Sequence, residues 1–173
     1  EEHQPGLDSV IPDMSYVLEN KHKLRGIFLS HGHEDHIGAI AWLMKDVNCP
    51  VYGLPLTLEL VRNKMEEKGL KNKLNLLHKT SCGPRYRAGV FEVEFVHINH
   101  SIADAASLAL YTPEGIVVHS GDFKIDFTPV SGKPANLARF AELGKEGVLL
   151  FVGESTNIER PGFTPSETKV ADA

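Results

Sequence analysis

Cysteine is nearly missing from this chain: Cys49 and Cys82 are the only two in 173 residues. That excludes a disulfide framework and a cysteine-rich zinc site, and it fits a reduced, cytosolic setting. Each is expected to be a buried thiol outside any ligand cluster. Long apolar runs are missing too. The longest, residues 147–153, falls far short of the ~20 residues that span a bilayer, so neither a transmembrane helix nor a membrane partner is expected. The first residues, Glu1-Glu2-His3-Gln4-Pro5-Gly6, carry no basic region and no apolar core, and do not read as a signal peptide. With no initiator Met, the chain reads as processed or truncated. An excess of positive charge is also lacking. Lys and Arg number 18 against 23 Asp and Glu, a formal charge of −5, which excludes nucleic-acid binding by bulk charge alone.

What is there reads as one globular domain. Hydrophobic residues make up 42% and charged residues 24%, so a packed core is expected and disorder is not. Residues 25–30 read as a short buried strand that ends at a polar cluster. Over 37–45, Ile37, Ile40, Ala41 and Met44 fall at helical spacing, with Asn48 and Pro50 as a stop. Residues 50–53 read as a strand and 57–68 as a helix with Leu58, Val61 and Met65 inward, closed by Gly69. Residues 90–96 alternate, so Glu92 and Glu94 should face water while Phe91, Val93 and Phe95 face the core. A strand pair over 108–112 and 116–119 turns at Pro113-Glu114-Gly115. A short helix over 136–143 is capped by Gly144, and 148–152 reads as a last buried strand. The class is α/β or α+β. The expected core is Ile27, Leu29, Phe91, Val93, Phe95, Leu108, Leu110, Val117, Val118, Leu149 and Phe151.

One segment stands apart: Ser30-His31-Gly32-His33-Glu34-Asp35-His36-Ile37-Gly38. It sets three imidazoles and two carboxylates directly after an apolar strand and before a helix. His31 and His33 are two apart, so on extended backbone they point to one side. Asp35 and His36 enter as the helix begins and can reach a second point nearby. Zinc accepts imidazole nitrogen and carboxylate oxygen, and a second ion about 3.5–4 Å away makes a two-metal site. The bland alternative is a set of solvated or helix-capping side chains. His100 and Asp122 follow strands, where sites tend to lie, and are candidate distant ligands. By spacing alone His100 also reads as a cap and Asp122 as a turn residue after Gly121.

Beyond these residues, "LSHGHEDHIGAI", "INHSIADA", "HSGDFKID" and "ESTNIERPGFTPSE" occur together and in order. At the first the chain resembles the metallo-β-lactamase superfamily, with its His-x-His-x-Asp-His hallmark. The full set is similar to the metallo-β-lactamase portion of the ribonuclease J family, bacterial and archaeal nucleases of the β-CASP group. The resemblance runs from about Gly6 to Glu167. It implies an αββα sandwich and two Zn2+ ions, with Mn2+ as the alternative. It implies that His31, His33 and His100 hold one ion, that Asp35 and His36 hold the second, and that Asp122 bridges them. A shared hydroxide then attacks an RNA phosphodiester, with Asp35 and Asp122 as the catalytic carboxylates. The implied activity is 5′–3′ exonucleolytic, with endonucleolytic cleavage beside it, in RNA processing and decay in the cytoplasm. The implied assembly is a homodimer or homotetramer of the intact protein.

The remaining residues carry plainer expectations. Glu34 reads as solvated or as a helix-start carboxylate, His119 as a packed structural histidine or else as support for the site beside Asp122, and His97 as a strand residue. The resemblance implies that Ser155, Thr156 and Asn157 line the substrate groove, while by themselves they read as turn and cap chemistry. Lys21, Lys23, Arg25, Lys71, Lys73, Lys79, Arg85 and Arg87 read as wet faces. Against the family pattern, residues 1–173 are a partial metallo-β-lactamase domain. It lacks the N-terminal strands, the β-CASP insertion and the zinc-ligand histidine beyond it, so the isolated chain is expected to hold its second ion weakly. Two other readings compete. One is a metallo-β-lactamase-fold hydrolase of a small ester, thioester or lactam. The other is a non-catalytic module in which the histidine loop is structural.

Overall fold

The structure, a computed structural model, describes residues 10–130 and 132–171, so the expectations for the first nine residues lie outside it. Chain order begins with helix α1 (Ser15–Glu19), strand β1 (Ile27–Phe28) and helices α2 (Glu34–Ile37) and α3 (Ile40–Asp46). Strand β2 (Val51–Gly53), helix α4 (Pro55–Glu67) and strand β3 (Leu77–Lys79) follow. Next come strands β4 (Arg85–Ala88), β5 (Phe91–His97), β6 (Ala106–Thr112) and β7 (Gly115–His119). Helix α5 (Leu137–Glu146), strand β8 (Val148–Val152) and helix α6 (Glu167–Ala171) complete the described chain. Strands β1, β2 and β3 pair in parallel. The other five form a second sheet in sequence order, antiparallel except for β7 with β8.

Three apolar layers separate four structural ones. Because side chains alternate across a strand, Leu29 and Val51 face one side of the first sheet while Phe28 and Tyr52 face the other. On the first side, Ile40, Ala41 and Met44 of α3 and Leu58, Val61 and Met65 of α4 close over Leu29 and Val51. On the second, Phe28 and Tyr52 meet Val93, Phe95, Ala106 and Leu108 of the other sheet. That sheet's far face carries Val96, Ala109, Ile116 and Val118 under Phe140 and Leu143 of α5. The order is helix, sheet, sheet, helix, as expected for an α/β chain of this pattern.

Several boundaries moved. The expected helix over 37–45 is two pieces, α2 and α3, broken at Gly38-Ala39. Helix α4 starts earlier than expected because Pro55 takes the first-turn position that its ring favours. The Asp104 carboxylate accepts the Leu56 N–H at 2.9 Å, tying the loop that carries His100 to this helix. Helix α5 runs through Gly144 and ends at Gly147, whose φ of 98° suits glycine. Asn136 caps its start by accepting the Arg139 N–H.

Burial departs from expectation in several places. Glu94 is buried, not solvated, because α5 covers that face of β5 and Arg139 reaches in to its carboxylate. Strand β8 is formed as expected, yet Leu149 and Phe151 are 64% and 59% exposed, since β8 is an edge strand with a partner on one side. Phe91 lies exposed at the start of β5, and Ile27, Leu110 and Val117 are half-buried. Cys49 is buried as expected; Cys82 is exposed. Lys73 is no free surface cation: its ammonium donates to the Met44, Lys45 and Val47 carbonyls and so caps α3.

Candidate metal centre

Three chain crossings bring the site together. The Ser30 carbonyl accepts the Ala106 N–H at 2.9 Å, joining the end of β1 to the start of β6. Gly121 lies against both: a Cβ there would sit 3.1 Å from the Ala106 oxygen and 3.2 Å from the Ser30 Cβ. Its φ of 62° then turns the chain so that Asp122 faces back over Ser30. Gly32, between the first two histidines, lies under Leu60: a Cβ would meet Leu60 Cδ1 at 2.6 Å, so a side chain there needs that leucine to move.

The ligand-type atoms fall into two groups, His31 with His33 and His100, and His31 with His36 and Asp122, each within 4.8 Å. His100 Nε2 is 3.0 Å from His33 Nδ1. Asp122 reaches both groups: Oδ2 is 3.9 Å from His31 Nε2 and 3.7 Å from His100 Nε2, and Oδ1 is 3.3 Å from His36 Nε2. Asp35 stands at the rim with its side chain 75% exposed, 3.6 Å from His36 Nε2, and joins neither group.

The chemistry of this donor set fits a cation. His31 is fully buried and its Nε2 has no hydrogen-bond partner among the described residues. Burial, with the neighbouring His36 and His100, pushes its pKa down to about 4, so at neutral pH it presents a lone pair and not a proton. Burial lowers His100 in the same way. The Ser30 hydroxyl lies 3.1 Å from His31 Nδ1 and 3.4 Å from His36 Nδ1. As an acceptor it holds the Nδ1–H tautomer of His31 and leaves that ring's Nε2 lone pair facing the Asp122 carboxylate. An uncharged lone pair facing an anion is repelled by it until a positive ion sits between them. Ser30 was part of the sequence segment but carried no assigned role, because a serine at a strand end gives no ligand signal.

A pH dependence follows. Above pH 6.5, the ordinary histidine value, His31 is neutral in both the folded and the unfolded chain. As pH falls from there towards about 4, the unfolded chain takes up a proton that the fold refuses, so the stability of the metal-free protein drops. Urea titrations across this window should show that decline, and His31→Asn should flatten it.

The plainer residues are also placed. Glu34 lies in the first turn of α2 and pairs with Lys64. His119 is exposed, not packed, and its Nδ1 accepts the Gly121 N–H at 3.0 Å, bracing the turn before Asp122. His97 donates to the Lys133 carbonyl. Ser155, Thr156 and Asn157 form an exposed turn whose Thr156 N–H donates to Glu154.

Residues 5–134 match the metallo-beta-lactamase superfamily. Ribonuclease J of Thermus thermophilus is 44% identical over 177 residues, taking in 99% of this chain and 31% of its own length. Ribonuclease J of a Synechocystis species is 48% identical over 169 residues, covering 95% of this chain and 26% of its own. That of Helicobacter pylori is 44% identical over 168 residues, covering 97% and 24%. This chain therefore spans about a quarter to a third of the length of these relatives. The crystal structure of a protein of unknown function from Enterococcus faecalis matches with a TM-score of 0.55 at 18% identity, over 95% of this chain and 45% of that one, a likeness of fold. With its four-layer sandwich and its histidine cluster at the strand ends, the chain belongs to the metallo-β-lactamase superfamily.

Proposed function

We propose that this chain is the metal-binding share of a ribonuclease that hydrolyses RNA phosphodiester bonds. The observation that carries the reading is the convergence of His31, His33, His36, His100 and Asp122 around a buried imidazole nitrogen that has no hydrogen-bond partner among the described residues. The choice of RNA rests on similarity to proteins named Ribonuclease J along nearly the whole chain. In this reading residues 1–173 are a partial metallo-β-lactamase domain whose β-CASP partner and last ligand histidine lie in the remainder of the protein. The intact enzyme is a cytoplasmic homodimer or homotetramer acting 5′ to 3′, with internal cleavage as a second mode.

His31, His33 and His100 would hold one Zn2+, and Asp35 and His36 the second, with Asp122 shared; Mn2+ is the alternative ion. When bound, the ions supply Lewis acidity towards the phosphate oxygens and a lowered pKa for water. The protein's part is to keep His31 and His100 neutral by burial and to orient the His31 and His36 rings through Ser30. Asp122 spans both ligand groups and sets their separation. Asp35, solvated at the rim, orients the attacking water by accepting its hydrogen bond. The test is parallel incubation of the metal-loaded protein, expressed at the length of its relatives, with 5′-monophosphorylated RNA and with nitrocefin. RNA shortened from its 5′ end with nitrocefin intact is the expected result. Nitrocefin turnover with the RNA intact would overturn the assignment in favour of small-molecule hydrolysis.

A further inference from the structure

The motif that carries Asp122 (residues 119–126) and the later one over residues 154–167 are fastened to each other at both ends. At one end the Ser120 hydroxyl accepts the Glu154 N–H at 3.2 Å, and the Glu154 carboxylate accepts the Phe123 N–H at 3.4 Å. At the other end stands Asp126, 4% exposed. Its carboxylate accepts from the Thr128 N–H at 3.0 Å, the Ser166 hydroxyl at 3.0 Å and the Glu167 N–H at 2.9 Å. Ser166 shares its proton with the Thr128 carbonyl at 2.7 Å, and Lys124 pairs with the Glu167 carboxylate. Residues 155–165 between the two ends are all exposed, so the fastening falls on the ends themselves.

The Asp126 junction also reaches the ligand loops. Asp122 lies four residues before it on the same turn. The Lys124 N–H donates to the Asn99 carbonyl at 2.8 Å, next to His100. A cavity of about 480 Å³ opens beside His100, and Asp126 and Glu167 both belong to its wall. A buried carboxylate with three donors is an expensive feature to maintain in a loop unless all its hydrogen bonds are made. Here each of those bonds holds the segment carrying Asp122 against residues 166–167 or stiffens it at Thr128.

We propose that Asp126 is a positioning residue for the metal centre: it is no ligand, but by locking residues 166–167 onto 124–128 it keeps Asp122 in register with the His100 loop. The inference rests on the metal-centre reading above, and its test separates the two. Three variants, Asp126→Asn, Ser166→Ala and Lys73→Met, are compared with the unsubstituted chain. Zn2+ affinity is measured by chelator competition, the Co2+-substituted site by its visible absorption, and residues 166–168 by amide hydrogen exchange.

Asp126→Asn and Ser166→Ala should each speed exchange at 167–168, raise the Zn2+ dissociation constant about tenfold and shift the Co2+ bands. Lys73→Met, which uncaps α3 far from the site, should lower stability and leave both metal readouts unchanged. Faster exchange at 167–168 with wild-type affinity and wild-type Co2+ bands would overturn the positioning role and leave the metal centre standing. An unsubstituted chain that binds no Zn2+ would overturn the metal-centre reading and this inference with it. Where Asp126→Asn does not fold, Ser166→Ala decides the question by the same readouts, since it removes the hydroxyl that joins Asp126 to Thr128 and no buried charge.

Discussion

Asp122→Ala is expected to leave the chain folded and to weaken its affinity for Zn2+ by at least about 100-fold, the upper end of what loss of a mere supporting partner costs a metal site. Among the described residues, this carboxylate alone reaches His31, His36 and His100, at 3.9, 3.3 and 3.7 Å. It is also the one anion within the two ligand groups, so its removal takes away most of the attraction for a cation. The fold should survive because the side chain is 28% exposed and the turn beneath it is set by Gly121 and His119. Chelator competition for the affinity, with circular dichroism for the fold, checks both halves. Unchanged affinity in a folded variant would contradict the placement of Asp122 at the centre.

Replacing Arg139 with leucine should destabilise the fold by about 3–5 kcal/mol, the cost of leaving a buried charge without its partner. The guanidinium grips Glu94 with both ends, Nε to Oε1 at 2.8 Å and Nη2 to Oε2 at 3.0 Å, while the Tyr111 hydroxyl donates to the same carboxylate at 2.8 Å. Burial pushes the Glu94 carboxyl up, and the Arg139 and Tyr111 hydrogen bonds overcome it and hold the carboxyl below its ordinary value. Arg139 also reaches Glu142 and Glu146 on its own helix, so one side chain pins α5 to the second sheet. Urea denaturation of Arg139→Leu should show the loss, and Glu94→Leu combined with Arg139→Leu should recover much of it. A single variant within about 0.5 kcal/mol of wild type would place the pair among ordinary surface contacts.

The site was more legible in the sequence than the packing was. His31, His33 and His36 lie in one short segment, and strand-to-helix geometry alone brings them near a common point. His100 and Asp122 could be proposed because each follows a strand, but their meeting with His31 depends on β6 and β7 pairing, which spacing does not encode. Asp35 shows the limit from the other side. It sits inside the hallmark, and the rim position that the first turn of α2 gives its carboxylate, 3.6 Å from His36 Nε2, is not encoded in the spacing. Asp126 and Ser166 gave no ligand signal, because their partnership spans forty residues of chain and exists only after folding.

The same reasoning explains the misplaced burial. Glu94 alternates with apolar neighbours and reads as wet; its burial depends on Arg139, forty-five residues away on another element. Val148 to Val152 read as buried from composition, but exposure of an edge strand is decided by what lies beside it. Helical and strand periods were recoverable because each is a local property, as the inward set of Leu58, Val61 and Met65 shows.

Metal retention tests the centre most directly. The chain should be loaded with Zn2+, passed through gel filtration in metal-free buffer and analysed for zinc per chain, beside His33→Ala and His100→Ala. At least one ion retained per wild-type chain, and loss of that ion in both variants, is the predicted result. A folded wild-type chain that emerges without zinc, or variants that keep as much as wild type, would contradict the metal centre.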